Sequence, residues 1–138
     1  MNIIEAALKE YGNQAWPGDE TNPDVLKYFH DIGYGYINDD ETPWCAAFAN
    51  WILKQCNIKG TNLLNARSFL KIGTAVSEPK LGDVVILWRI SPVGSYGHVG
   101  FFVNKIENQI FILGGNEDSS VKIKAFPVSQ LLGYRMII

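Results

Sequence analysis

Apolar residues recur at Ile3, Ile4, Ala7, Leu8 and Tyr11, the spacing of one helical face. That pattern predicts a first helix from Ile3 to Tyr11. Asn22-Pro23 offers an N-cap with proline at the first helical position, and Gly33 offers a stop. A short helix is therefore expected from Pro23 to Ile32. A loop rich in Gly, Tyr and Asp, Gly33 to Glu41, follows. Thr42 then reads as an N-cap, with Pro43 at N1, Trp44 at N2 and Cys45 at N3. This helix runs through AAFANWILKQC to about Cys56. A further short helix is expected from Asn65 to Ile72, closed by Gly73.

From Gly82 the period changes. DVVILW is a β-branched run after a Pro79 to Gly82 turn region, and HVGFFV is a second. Lys105 to Asn108 reads as a turn, and QIFIL as the next strand. VKIKAF alternates in and out, and LLGYRMII closes the chain. Helices followed by hairpin-linked strands predict an α+β fold, with N-terminal helices packed on a C-terminal antiparallel sheet of about five strands.

Composition narrows the class. The chain has 138 residues, with 47% apolar and 19% charged, the balance of a soluble globular protein. One domain over residues 1–138 is expected. The net charge is −2 and the basic residues form no runs. That argues against a nucleic-acid partner, which needs a basic stripe, and against a polybasic membrane anchor. Two cysteines cannot frame a disulfide-stapled module. MNIIEAALKEYGNQ lacks a basic region followed by a long apolar run, so synthesis in the cytoplasm without a Sec signal is expected. No stretch reads as a membrane span, and a monomer is expected.

Cys45 is the first candidate for chemistry. A thiol reacts as its thiolate, and the first turn of a helix favours negative charge through free N–H groups and the macrodipole. The same N–H groups can stabilise an oxyanion after attack on a carbonyl. The competing reading is a core thiol, since free cysteine is commonly buried. Cys56 lies about three turns further on, ~16 Å away, and reads as that ordinary thiol.

A cysteine nucleophile needs a base. His30 sits late in a helix beside Asp31 and reads as a surface or capping residue. His98 opens the apolar strand HVGFFV, where packing gives no reason for an imidazole. If HVGFFV and QIFIL form a hairpin, Gly114 to Asn116 lies at the same end of the sheet as His98. Asn116 is then the first candidate to orient the ring, with Glu117 and Asp118 also open. On spacing alone a turn residue after two glycines is the stronger reading of Asn116. Trp44, Trp88 and Tyr96 are candidates to line a substrate groove, although aromatics commonly pack. Asp83 is a candidate either to support the site or to cap a turn. No pair of histidines has metal-ligand spacing and no CxxC exists, so no metal is expected. Walker, Rossmann and GxSxG motifs are absent from the sequence.

The string PWCAAFANWIL resembles the nucleophile helix of CHAP and NlpC-type cell-wall hydrolases, within the papain-like superfamily. PKLGDVVILW followed by GHVGFFV is similar to their next two blocks, in which a strand opened by the catalytic histidine follows a GD-plus-apolar strand. GGNE resembles the block with the third polar residue. In the CHAP branch that block carries Glu-x-Asn; here Gly114 stands in the Glu place and Asn116 in the Asn place. The resemblance spans Thr42 to Arg135. It implies a papain-like α+β fold, no cofactor, and a Cys45-His98-Asn116 triad that cuts peptide or amide bonds of peptidoglycan, with the stem peptide as partner. A missing Sec signal matches phage lysins and type VI secretion toxins within the family. Action in the periplasm or wall after injection or lysis is then expected, and a toxin would have a cognate immunity protein. Two other readings stand: a non-catalytic groove-binding module of the same shape, and a cysteine peptidase that acts on a protein substrate.

Overall fold

Asn2 caps the first helix by accepting from the Glu5 N–H, at 2.8 Å. The computed structural model describes residues 2–138. Helix α1 spans Ile3–Leu8 and buries Ile3, Ala6 and Ala7. Helix α2 spans Pro23–His30, with Asn22 accepting from the Asp24 N–H and Pro23 in the first turn, as the Asn-Pro pair predicts. Helix α3 spans Cys45–Gln55 and is buried over every residue from Cys45 to Leu53. The expected fourth helix is a 3-10 segment, Ala66–Lys71.

The start of α3 differs from expectation. Thr42 does not cap it. The Thr42 N–H and hydroxyl both donate to Asp39 Oδ1, which also accepts from the Glu41 N–H. That Asx-type turn uses up Thr42 and moves the helix start two residues on. Trp44 takes the N-cap position without a side-chain cap, and Cys45 is the first helical residue.

The strands are β1 (Thr74–Val76), β2 (Val84–Trp88), β3 (Gly97–Ile106), β4 (Gln109–Glu117), β5 (Ser120–Pro127) and β6 (Leu131–Met136). They form one antiparallel sheet of six strands in the order β1-β6-β2-β3-β4-β5. The strand beyond the expected five is β1, whose three residues carry too little pattern to be seen in sequence. β4 runs past QIFIL through Glu117, so Gly114 to Asn116 are strand residues with a bulge, and not a loop.

Both faces of the sheet are covered. Val84, Ile86, Val99, Phe101 and Leu113 pack against the helices, with Phe48, Ile52 and Phe29 opposite. Val85, Leu87, Phe102, Ile110, Ile112 and Tyr134 form a second cluster on the other face. The alternation along β2 follows from the period of two, one residue to each face in turn. The chain before α2 also joins the sheet. Residues 12–15 run along the start of β5, with Gly12 N–H to Val121 O and Val121 N–H to Asn13 O both at 2.8 Å. Among the described residues no helix is long and apolar enough to cross a membrane.

Candidate active site

β3 is bound to β2 along its whole first half, with Leu87 opposite His98 and Trp88 opposite Gly97. Its pairing with β4 starts only at Phe101 opposite Leu113. Above that point β4 bulges between Gly114 and Glu117. Here the N-terminus of α3 meets the sheet. The approach is close because Gly115 has no side chain: a Cβ there would lie 2.5 Å from the Phe48 Cβ and 3.0 Å from the Trp44 ring.

Three chemically active side chains meet at this point. Cys45, His98 and Glu117 are only 7%, 2% and 2% exposed. His98 Nε2 stands 2.6 Å from Glu117 Oε1. The contact is short but falls outside aligned hydrogen-bond geometry at His98 Nε2. The second oxygen of Glu117 has no hydrogen-bond partner. Cys45 lies against the His98 imidazole and the Val99 N–H. The Phe126 ring stacks obliquely beside His98, with centroids 5.2 Å apart.

The electrostatics make Cys45 and His98 one coupled pair. Burial alone would raise the Cys45 pKa. The His98 charge and contact, the Val99 N–H and the Arg89 charge outweigh it, and the thiol falls below its ordinary value of 9.0. Burial alone would lower His98. The Cys45 thiolate and the Glu117 carboxylate outweigh that and raise it from 6.5 to about 10. The pair therefore favours thiolate and imidazolium over thiol and imidazole. Cys56 is the contrast: burial raises its thiol, and no imidazole opposes the shift.

The structure brings Cys45 and His98 together as the sequence predicts, but Glu117 takes the place expected for Asn116. Asn116 is half-buried with φ +57°, inside the bulge. The bulge adds residues to β4, so the position one further along faces the imidazole. Trp44 does not line a groove. It is fully buried, stacks on Tyr28 at 5.6 Å, and leaves its Nε1 without a partner. Asp83 caps the turn before β2 by accepting from the Lys80 N–H at 2.8 Å, and so holds the opposite end of that strand. Trp88 donates to Ser129 O at 3.1 Å and ties β2 to the segment before β6. Tyr96 is 65% exposed, two residues before His98. His30 contacts Ile37 O at the surface, away from the site.

Two arginines escaped the sequence reading. Arg67 reaches across from the 3-10 segment to the β2–β3 loop. Its Nε donates to Tyr96 O at 3.0 Å, its Nη1 to Pro92 O at 3.0 Å, and its Nη2 to Ser91 O at 2.7 Å. Arg89 stands at the base of the same loop, exposed. Neither has a sequence signal, because both roles depend on a loop conformation. Among the described residues no group of three or more His, Cys, Asp or Glu is placed to hold a metal ion.

Comparison with known proteins bears on the family and the fold. Residues 37–116 match the family model described as the CHAP domain, a stretch that holds Cys45 and His98 and ends one residue before Glu117. No curated protein matches the sequence significantly. The fold is similar to a protein of Staphylococcus aureus subsp. aureus Mu50 described as similar to lipoprotein, NLP/P60 family. That likeness has a TM-score of 0.53 at 16% identity and covers 99% of this chain. It is also similar to an NlpC/P60 family protein of Bacillus cereus ATCC 10987, with a TM-score of 0.50 at 18% identity over 67% of this chain. The chain spans 40% and 31% of the lengths of those two proteins. Their shared architecture is the papain-like α+β fold. With more than half of its length matched by that one model, the chain belongs to the CHAP domain family.

Proposed function

We propose that this chain is a cysteine hydrolase that cuts peptide or amide bonds of peptidoglycan through Cys45, His98 and Glu117. Membership of the CHAP domain family suggests a peptidoglycan-related hydrolase. The single observation that supports the finer reading is the buried Cys45–His98 pair at the start of α3, backed by Glu117 at 2.6 Å.

Glu117 occupies Nε2 of His98, which leaves Nδ1 to serve the sulfur. The Cys45 thiolate attacks the scissile carbonyl carbon, and the carbonyl π pair moves onto oxygen. The first-turn N–H groups of α3, which no side chain caps, are the donors available to that oxyanion. The oxyanion collapses, the C–N bond breaks, and His98 gives its proton to the leaving nitrogen. Water then attacks the thioester carbon, with His98 taking its proton; the C–S bond breaks, the acid product leaves, and the Cys45 thiolate and His98 imidazolium are restored. Glu117 stabilises the imidazolium throughout.

The test is digestion of purified sacculi, with fragments identified by mass spectrometry. Wild type should release soluble fragments, and Cys45→Ala should release none while keeping its fold by circular dichroism. Equal digestion by Cys45→Ala would end the hydrolase reading. The fragment masses distinguish amidase cleavage next to the sugar from cleavage within the stem or cross-bridge.

A further inference from the structure

We propose that Arg89 is a docking residue for a carboxylate of the substrate, so that the site takes acyl donors with a negative charge next to the scissile bond. This rests on the reading of Cys45 as the nucleophile.

The first observation is placement. The Arg89 N–H donates to Tyr96 O at 3.1 Å, which extends the β2–β3 ladder one step beyond Trp88 and Gly97. Leu87 lies opposite His98. Arg89 is two residues beyond Leu87, hence on the same sheet face and diagonal to His98. Diagonal neighbours are roughly 7–8 Å apart, within reach of a long side chain. The positive charge of Arg89 also acts on the Cys45 thiol, consistent with that placement.

The second observation is that the guanidinium is uncommitted. Arg89 is exposed and forms no ion pair with any described carboxylate. Arg67 makes the opposite use of its fork, spending it on loop carbonyls. Both arginines converge on Tyr96 O, since Arg67 Nη2 donates to it at 2.8 Å beside the Arg89 N–H. One arginine thus fixes the backbone that carries the other. Ile90, next in the chain, has φ +71° with its side chain 83% exposed. A β-branched residue in that region is strained, and such strain gathers where a neighbouring group must be held in place.

The third observation is the sign of the surroundings. Lys124 lies 5.5 Å above the Phe126 ring, itself beside His98, and Lys122 and Lys124 share the single carboxylate of Asp118. Arg89, Lys122 and Lys124 against Asp118 give this group of exposed side chains a net positive charge, in a chain whose net charge is −2. Positive charge that acts on the thiol, as that of Arg89 does, draws anions toward it. The arginine fork then supplies a bidentate seat for a carboxylate.

The experiment compares two alkylating reagents that differ only in charge. Iodoacetate and iodoacetamide both deliver a CH2 carbon to the Cys45 thiolate, forming a thioether and releasing iodide. The full chain is used at low salt in a Cys56→Ala background, so that only Cys45 reports. Any change in thiol ionisation alters both rates together and cancels in their ratio. The iodoacetate-to-iodoacetamide ratio should fall about threefold to fivefold in Arg89→Gln. Arg89→Lys should keep most of it, and the control Lys59→Gln should keep all of it. An unchanged ratio in Arg89→Gln overturns the proposal. So does an equal fall in Lys59→Gln, which would make the effect one of overall charge. Sacculi separate this from the functional reading. A ratio that falls as expected alongside undigested sacculi supports the carboxylate seat and removes peptidoglycan as the substrate. Digestion with an unchanged ratio does the reverse.

Discussion

His98 and Glu117 meet with Nε2 2.6 Å from Oε1, both side chains almost wholly out of solvent. The contact exists because β4 bulges between Gly114 and Glu117, with Asn116 in the left-handed region. Glu117→Gln keeps the shape and removes the carboxylate that, after the Cys45 thiolate, helps raise His98. Turnover should fall by roughly 10²- to 10⁴-fold, by analogy with neutralising the carboxylate of a serine-protease triad. Asn116→Gly should leave turnover within a few-fold, since glycine suits φ +57°. Asn116→Ala should cost about 1 kcal/mol of stability, readable in urea unfolding, without a matching loss of rate. The reverse ranking of the two positions would return the third role to Asn116.

The coupled pair sets a pH window. The thiolate must form for attack, and His98 must hold its proton to protonate the leaving nitrogen. Cys45 titrates below its ordinary value of 9.0, so the rise of activity with pH should come at lower pH than an unperturbed thiol would give. His98 loses its proton at about 10, so hydrolysis should decline there as pH rises. Alkylation by iodoacetamide needs only the thiolate and should not decline. In His98→Ala the largest opposing influence is gone while burial remains, so the thiol titration should move up, with only the Val99 N–H and the Arg89 charge left to hold it down. A variant that alkylates with the wild-type pH profile would show that His98 does not act on the sulfur.

Gly115 marks where sheet and helix touch. A methyl group there meets Phe48 at 2.5 Å and Trp44 at 3.0 Å, both fully buried. Gly115→Ala should destabilise by about 1–3 kcal/mol, as overpacking does, and should also push α3 away from β4. The expected signature is loss of iodoacetamide reactivity at Cys45 at temperatures where circular dichroism still reports a folded chain. Wild-type thiol reactivity in Gly115→Ala would mean that this contact does not position the sulfur.

Arg67 holds the loop that leads into His98. Arg67→Ala frees the carbonyls of Ser91, Pro92 and Tyr96 and should lower Tm by several °C, measured by calorimetry. Arg67→Lys should recover little of this, because an ammonium cannot span three carbonyls as the fork does. Full rescue by lysine would mean that charge and not geometry is what the loop needs.

The sequence by itself determined the class of the fold and pointed to Cys45 and His98 as the candidate pair. Helical spacing and the Asn22-Pro23 cap placed α2, and the run DVVILW placed β2, because these signals are local and carry their own period. Cys45 was legible from proline and threonine just before an apolar helix, even though the helix starts two residues later than those residues suggest. His98 was legible because an imidazole at the head of an apolar strand has no packing reason. Tertiary structure decided that Glu117 and not Asn116 faces His98, since a bulge changes which side chain faces the neighbour by one position and leaves no periodic trace. It also decided that Trp44 packs and that Arg67 and Arg89 divide the β2–β3 loop between them. Those outcomes depend on segments distant in the chain meeting in space, and a pattern along one strand or helix holds no record of the surface it will meet.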